Sequence, residues 1–359
     1  GRSVAALDRL GTGRYGVAVS GYAAPLAFYE IGDDGEITDM ADAVGLEVDG
    51  GCRSLLAVPH CSGEGDLFAG VERGPNRLFR NDGGHYDIAD GGTDLSDPAG
   101  DTRGAALVDE DGRFAFAVGN ESGPNRLLRQ APDGGFVDAA PPAFRDTGRV
   151  RTVVAADLDN DGREELFFNA SGEPNRLFAR EGENGDGDND GARWRRVDPG
   201  PAAEPDGYGT GAVAADIDRD GVLELIVVHG EVAAQPISVY KDPTAATAGW
   251  LRVRPTTRHG APARGAVVRL ETTDGVQRRT VDAGGGCLCQ TEPVAHFGLG
   301  GATPVRVDVR WPDGRGRTLT DPAANAETEV EHPSQTAASA GRRRGHGRIE
   351  GDGGRSLGR

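Results

Sequence analysis

Lysine is almost absent: Lys241 is the only one in 359 residues, and arginine supplies the rest of the positive charge. Acids outnumber bases 57 to 39, giving a formal net charge of −18 at pH 7. A protein that neutralises phosphates carries the opposite field, so no nucleic-acid partner is expected. The acid excess and the missing lysine together read as a halophilic composition. No apolar run approaches the roughly 20 residues of a membrane helix, so no transmembrane segment is expected. Four cysteines are too few for a disulfide scaffold. Cys52 and Cys61 could close a bridge in an oxidising compartment. Cys287 and Cys289 share one strand face and read as buried thiols. Neither His60 nor His296 stands at zinc spacing to them. P-loop and H-E-x-x-H patterns are both missing, and the sequence names no catalytic nucleophile or base. The chain opens on Gly1 with neither an initiator methionine nor a signal segment, so compartment has to be argued indirectly.

What the chain has is glycine, 57 of them, and a short acidic stretch that occurs twice. Asp157-Leu158-Asp159-Asn160-Asp161-Gly162-Arg163-Glu164-Glu165 returns as Asp216-Ile217-Asp218-Arg219-Asp220-Gly221-Val222-Leu223-Glu224. Carboxylates fall at positions 1, 3, 5 and 9 of each copy, with glycine at 6. Alternate residues of a turning backbone point inward, and the glycine permits the bend that lets a later carbonyl join them. Oxygen-only ligands select a hard cation, calcium first and magnesium second. An EF-hand is excluded, because its position-12 glutamate is replaced by Phe168 and Val227 and the flanks are short β-branched runs rather than helices.

The loops belong to a repeat. GPNRLFR at 74–80 recurs as GPNRLLR at 123–129 and EPNRLFAR at 173–180, which places Asn76, Asn125 and Asn175 at intervals of 49 and 50 residues. Worn copies start at Pro25 and Pro236, making five. Repeat four reads as four short strands separated by turns, the pattern of a β-propeller blade, and such a blade must stack on neighbours to bury its faces. The expected fold is therefore all-β: a propeller of about 50-residue four-stranded blades, five visible and seven possible. Repeat three keeps Asp109, Asp111 and Gly112, so two occupied calcium sites are expected and a third, weak one around Asp109 and Asp111 is possible. Repeats one and two retain only Asp8 with Gly13, and Gly63 with Asp66. The G-x-G-x-x-G match GTGRYG at 11–16 runs into a strand, so it reads as a worn blade loop rather than a dinucleotide fingerprint. The insertion at 182–192 reads as a solvated acidic loop. The sequons at Asn120 and Asn169 read as repeat inheritance.

These features resemble FG-GAP or VCBS-type propeller repeats, and residues 76–95 are similar to repeats of cartilage-acidic-protein-like chains. The resemblance implies calcium ligands at Asp157, Asp159, Asp161, the Arg163 carbonyl and Glu165, then Asp216, Asp218, Asp220, the Val222 carbonyl and Glu224. After KDPTAATAG at 241–249 the pattern changes. WLRVRP, GAVVRL, AGGGCLCQTEPVAHFGLG and VRWPDGR resemble an ASPIC/UnbV domain, which usually follows such repeats. The expected division is propeller at 1–248, a small sandwich- or barrel-like β domain at 249–332 and a disordered Arg/Gly-rich tail at 333–359. The resemblance implies a monomeric, secreted or surface-exposed binding module with structural calcium and a protein or glycan ligand. A second implied role is an enzyme or accessory of natural-product biosynthesis, because relatives with this domain pair occur in such gene clusters. A third is a scaffold that binds no small ligand.

Overall fold

The computed structural model describes all residues except 23, 49, 60–64, 90–91, 111, 147, 181–193, 283–287 and 335–359. Cys61, Cys287, Asp111, the acidic insertion and nearly all of the tail thus lie outside the described residues. The protein is all-β, and the expected blades are present. Blade 1 runs from Val4 to Asp39, blade 2 from Cys52 to Ile88, blade 3 from Thr102 to Asp138 and blade 4 from Val150 to Val197. Each is a four-stranded antiparallel meander. Blade 5, Gly209–Ala215, Glu224–His229 and Ser238–Lys241, has three strands.

Sequence explains why these strands are buried to different depths. The second strand of blade 4, ELFFNA from Glu165 to Ala170, is buried at every position because neighbouring blades cover both its faces. The third, Arg176–Arg180, is only partly covered and accordingly mixes arginine with apolar residues. Four apolar cores join successive blades. The aromatic one is built on Phe144, whose ring lies 5.5 Å from Phe168, 4.3 Å from Phe178 and 5.8 Å from Trp194. Among the described residues no such core links blade 5 back to blade 1, and the exposed side chains Ile31, Ile37, Ile237 and Val239 lie on those two blades.

The repeated asparagine has a structural job. Asn125 accepts from the Asn120 amide at 3.0 Å and donates to the Phe144 carbonyl at 3.0 Å, and Asn175 makes the same pair of bonds to Ala170 and Ala202. Asn76 accepts from the Val71 amide at 3.0 Å. Each buried amide thus ties a blade's second strand to a turn and, in blades 3 and 4, to the segment entering the next blade. Satisfying buried backbone groups this way makes the asparagine hard to replace.

The GTGRYG stretch is the turn of the first hairpin, where Asp8 accepts from the amides of Thr12 and Gly13, and no helix follows it. Asn120 and Asn169 are both 0% exposed, which leaves no room for a glycan on the folded chain. Cys52 is buried, and burial pushes its thiol up to about 12.

The C-terminal strands form two further sheets. In one, Gly249–Pro255 lies between Ala295–Gly300, antiparallel, and Ala326–Val330, parallel. In the other the order is Val276–Thr280, Val267–Thr272, Pro304–Arg310 and Gly316–Thr320. Leu251, Val253, Val268, Leu270, Phe297 and Trp311 form the shared core. Among the described residues no helix is long and apolar enough to cross a membrane.

Candidate metal loops and the surface that meets them

Each acidic stretch is the connection between the first two strands of its blade, and the two fold bond for bond alike. In blade 4 the amide of Gly162 donates to Asp157 Oδ2 at 3.0 Å and that of Leu158 to Glu165 Oε2 at 2.9 Å. In blade 5 the amide of Gly221 donates to Asp216 Oδ2 at 3.1 Å and that of Ile217 to Glu224 Oε2 at 2.7 Å. Position 4 is left-handed in both, with φ of 60° at Asn160 and 63° at Arg219. Gly162 and Gly221 also take positive φ, which the position-6 glycine permits without strain.

The carboxylates converge. Ligand oxygens of Asp157, Asp159 and Glu165 lie within 4.8 Å of one another, and so do those of Asp216, Asp218 and Glu224. Two oxygens on opposite sides of a calcium ion stand about 5 Å apart, since each bond is about 2.3–2.6 Å, so both clusters fit such a cation. Asp157 Oδ1 and Asp216 Oδ1 are buried without a hydrogen-bond partner, the same atom in both loops. Burial, helped by neighbouring acids, pushes Asp157 up to about 7 and Glu165 up to about 10. These acids therefore resist ionising together unless a positive charge joins them.

Asp161 and Asp220 stand at the rim, while Val222 is buried. Asp161 is half exposed and paired with Arg163 Nη1 at 3.1 Å, and its Oδ1 accepts from the Arg163 amide at 2.7 Å. Asp220 accepts from the Val222 amide at 2.9 Å. Lys241 Nζ lies 2.9 Å from Asp218 Oδ1 and 2.8 Å from Asp220 Oδ1, and it also contacts Glu224. In blade 3 both oxygens of Asp109 are taken by N–H donors, Gly112 and Arg278. Asp111, the second acid of the expected third site, lies outside the described residues.

The structure adds residues that no local pattern marks. Arg279, in the strand Val276–Thr280, is buried 3.6 Å from Asp157, 3.4 Å from Glu164 and 3.8 Å from Asp109. The Gly298 amide donates to Asp157 Oδ2 at 2.9 Å. His296 Nε2 lies 2.7 Å from Asn160 Oδ1, and burial pushes the imidazole down to about 3. On the blade 5 side Arg252 Nη1 stands 3.5 Å from Asp216 Oδ2, and Trp250 covers Gly221. The first acids of blades 3, 4 and 5 therefore all face the C-terminal sheets. Between the inner strands and the C-terminal residues 279–282 and 289–296 lies a cavity of about 120 Å³, walled largely by alanine and valine, with Arg279 and His296 among the polar groups.

Two family matches fit this architecture of repeated antiparallel blades, two of them carrying acidic loops, followed by two further sheets. The FG-GAP-like repeat family matches residues 108–168 and the ASPIC and UnbV family residues 256–337. Over 93% of its length the chain is 40% identical to cartilage acidic protein 1 of Mus musculus and of Homo sapiens, and 39% identical to that of Xenopus tropicalis. It is thus cartilage-acidic-protein-like, and it spans 54–55% of the length of those relatives. The halophilic reading gains no support from these matches.

Proposed function

We propose that the two loops bind calcium as a structural ion and that the chain is an extracellular or surface binding module of the adhesion type. The observation that carries the metal reading is the buried, unpartnered Oδ1 of Asp157 and Asp216, at the same place in two loops that otherwise satisfy their hydrogen bonds. Leaving a buried carboxylate oxygen without a donor costs about 1–3 kcal/mol, and an ion at that point removes the cost. The ligands are Asp157, Asp159, Asp161, the Arg163 carbonyl and Glu165 in one loop. In the other they are Asp216, Asp218, Asp220, the Val222 carbonyl and Glu224. An ion there ties the first two strands of a blade together, so its binding energy becomes folding energy. The division into residues 1–248 and 249–332 belongs to the same reading.

Similarity to cartilage acidic protein 1 supports the extracellular assignment and the binding role. Calorimetric titration of metal-stripped protein tests the metal. Two calcium ions bound per chain, with magnesium much weaker, is the expected result. Absence of calcium binding at millimolar concentration would sink the proposal.

A further inference from the structure

We infer that the blade 4 loop is a calcium-dependent clasp between the propeller and the ASPIC/UnbV unit, an inference that rests on the calcium reading above. Asp157 works in two directions. Its Oδ2 receives the amide of Gly162 within the loop and the amide of Gly298 from the C-terminal sheet, while its buried Oδ1 is left for the ion. The same loop gives its backbone to the partner unit. The Gly300 amide donates to the Asn160 carbonyl at 2.8 Å, and Arg279 Nη2 donates to the Gly162 carbonyl at 3.4 Å. Asn160 Nδ2 also donates to the Gly221 carbonyl at 2.9 Å, linking the two loops.

This docking needs the loop in one shape. Asn160 is held at φ 60°, and a Cβ on Gly298 would run into the Asn160 backbone and Asp157 Oδ2, so the approach leaves no slack. Without an ion, the acids at 157, 159, 161 and 165 must take up protons or move apart, and moving apart withdraws the acceptors at 157, 160 and 162. With an ion they are drawn together and the acceptors are set. Two ligands that favour the same loop conformation help each other reciprocally. Calcium therefore strengthens the docking of the C-terminal unit, and docking strengthens calcium by the same factor.

Hydrogen exchange on the full chain, with calcium and after metal stripping, reads this directly. Stripping is expected to speed exchange of the Gly298 and Gly300 amides at least tenfold, while amides in the middle of the far sheet, such as Leu270 and Val307, keep their rates. A Gly298→Ala variant, which changes no ligand but whose added methyl crowds Asn160 and Asp157 Oδ2 from the C-terminal side, is expected to weaken calcium at this loop about tenfold and to leave the blade 5 loop nearly unchanged. A folded Gly298→Ala protein with full calcium affinity, or equal exchange at Gly298 and Gly300 in both states of a wild type that binds calcium, overturns the clasp and leaves the calcium reading intact. A wild type that binds no calcium overturns both.

Discussion

The loops of blades 4 and 5 share a ligand pattern and a hydrogen-bond pattern, yet they sit in different electrostatic settings. In blade 4 the Asp157 side chain is 0% exposed, Arg163 pairs with Asp161 at the rim at 3.1 Å, and Arg279 lies 3.6 Å from Asp157 on the far oxygen. In blade 5 the Asp218 and Asp220 side chains are 61% and 48% exposed, and Lys241 stands among them. The motif therefore sets where carboxylates converge, and the neighbours decide how strongly they call for an ion. Blade 4 buries its acids against the C-terminal sheets, whereas blade 5 carries a tethered ammonium that already answers part of the demand.

The largest effect should come from removing the cation that faces blade 4. Arg279→Leu leaves Asp157, Glu164 and Asp109 buried without their counter-charge, and breaking such a group by one partner costs about 3–5 kcal/mol. Chemical denaturation with calcium present should show that loss, and a change under about 1 kcal/mol would mean the contacts at Arg279 are incidental. Next comes the ion itself. Asp159→Asn and Asp218→Asn should each remove most calcium binding at its own loop and cost about 2.7 kcal/mol at a calcium concentration 100 times the dissociation constant, and the two can be combined. Melting in calcium should then match melting of the stripped wild type.

A smaller effect follows from the titration of Asp157. Its folded value near 7 lies above the ordinary 3.8 because burial disfavours the anion. The ion-free protein thus takes up a proton on folding, and this contribution is complete below about pH 4 and lost as pH rises through about 7. Metal-stripped protein should lose melting temperature between those limits, and saturating calcium should abolish the trend at the neutral end. A flat profile for stripped protein would show that Asp157 is ionised without an ion.

Much of this was legible in the sequence for physical reasons. A nine-residue loop carries its own ligands, so the acids at 157–165 and 216–224 could be read locally. The repeat was visible because Asn76, Asn125 and Asn175 satisfy backbone groups that blades 2, 3 and 4 present in the same place. The interface was not legible. Arg279 and Gly298 reach Asp157 from more than 100 residues away, and nothing near them in sequence names a carboxylate partner. Faint signals existed: Gln277 and Arg279 alternate onto one strand face, and the glycines at 298 and 300 mark a close backbone approach. The third strand of blade 5 ends at Lys241 with no fourth behind it among the described residues, which is where the small-residue segment 241–249 begins.

Lys241 offers the finest test of the contrast. The single lysine was conspicuous in composition, and only the fold shows it among Asp218, Asp220 and Glu224. Its ammonium and a calcium ion compete for the same oxygens, so an ion entering the blade 5 loop must first displace it. Partly exposed pairs of this kind are worth about 0.2–1 kcal/mol each, and one kilocalorie corresponds to roughly a fivefold change in affinity. Lys241→Ala should therefore raise calcium affinity at blade 5 by up to about fivefold and leave blade 4 as it was, narrowing the gap between two otherwise separate steps in the titration. Weaker binding at blade 5 in that variant would show instead that the lysine holds the loop in its binding shape. Because Lys241 also opens the segment leading to Trp250, displacement of the lysine would then be felt first in the linker, as faster exchange at residues 242–249.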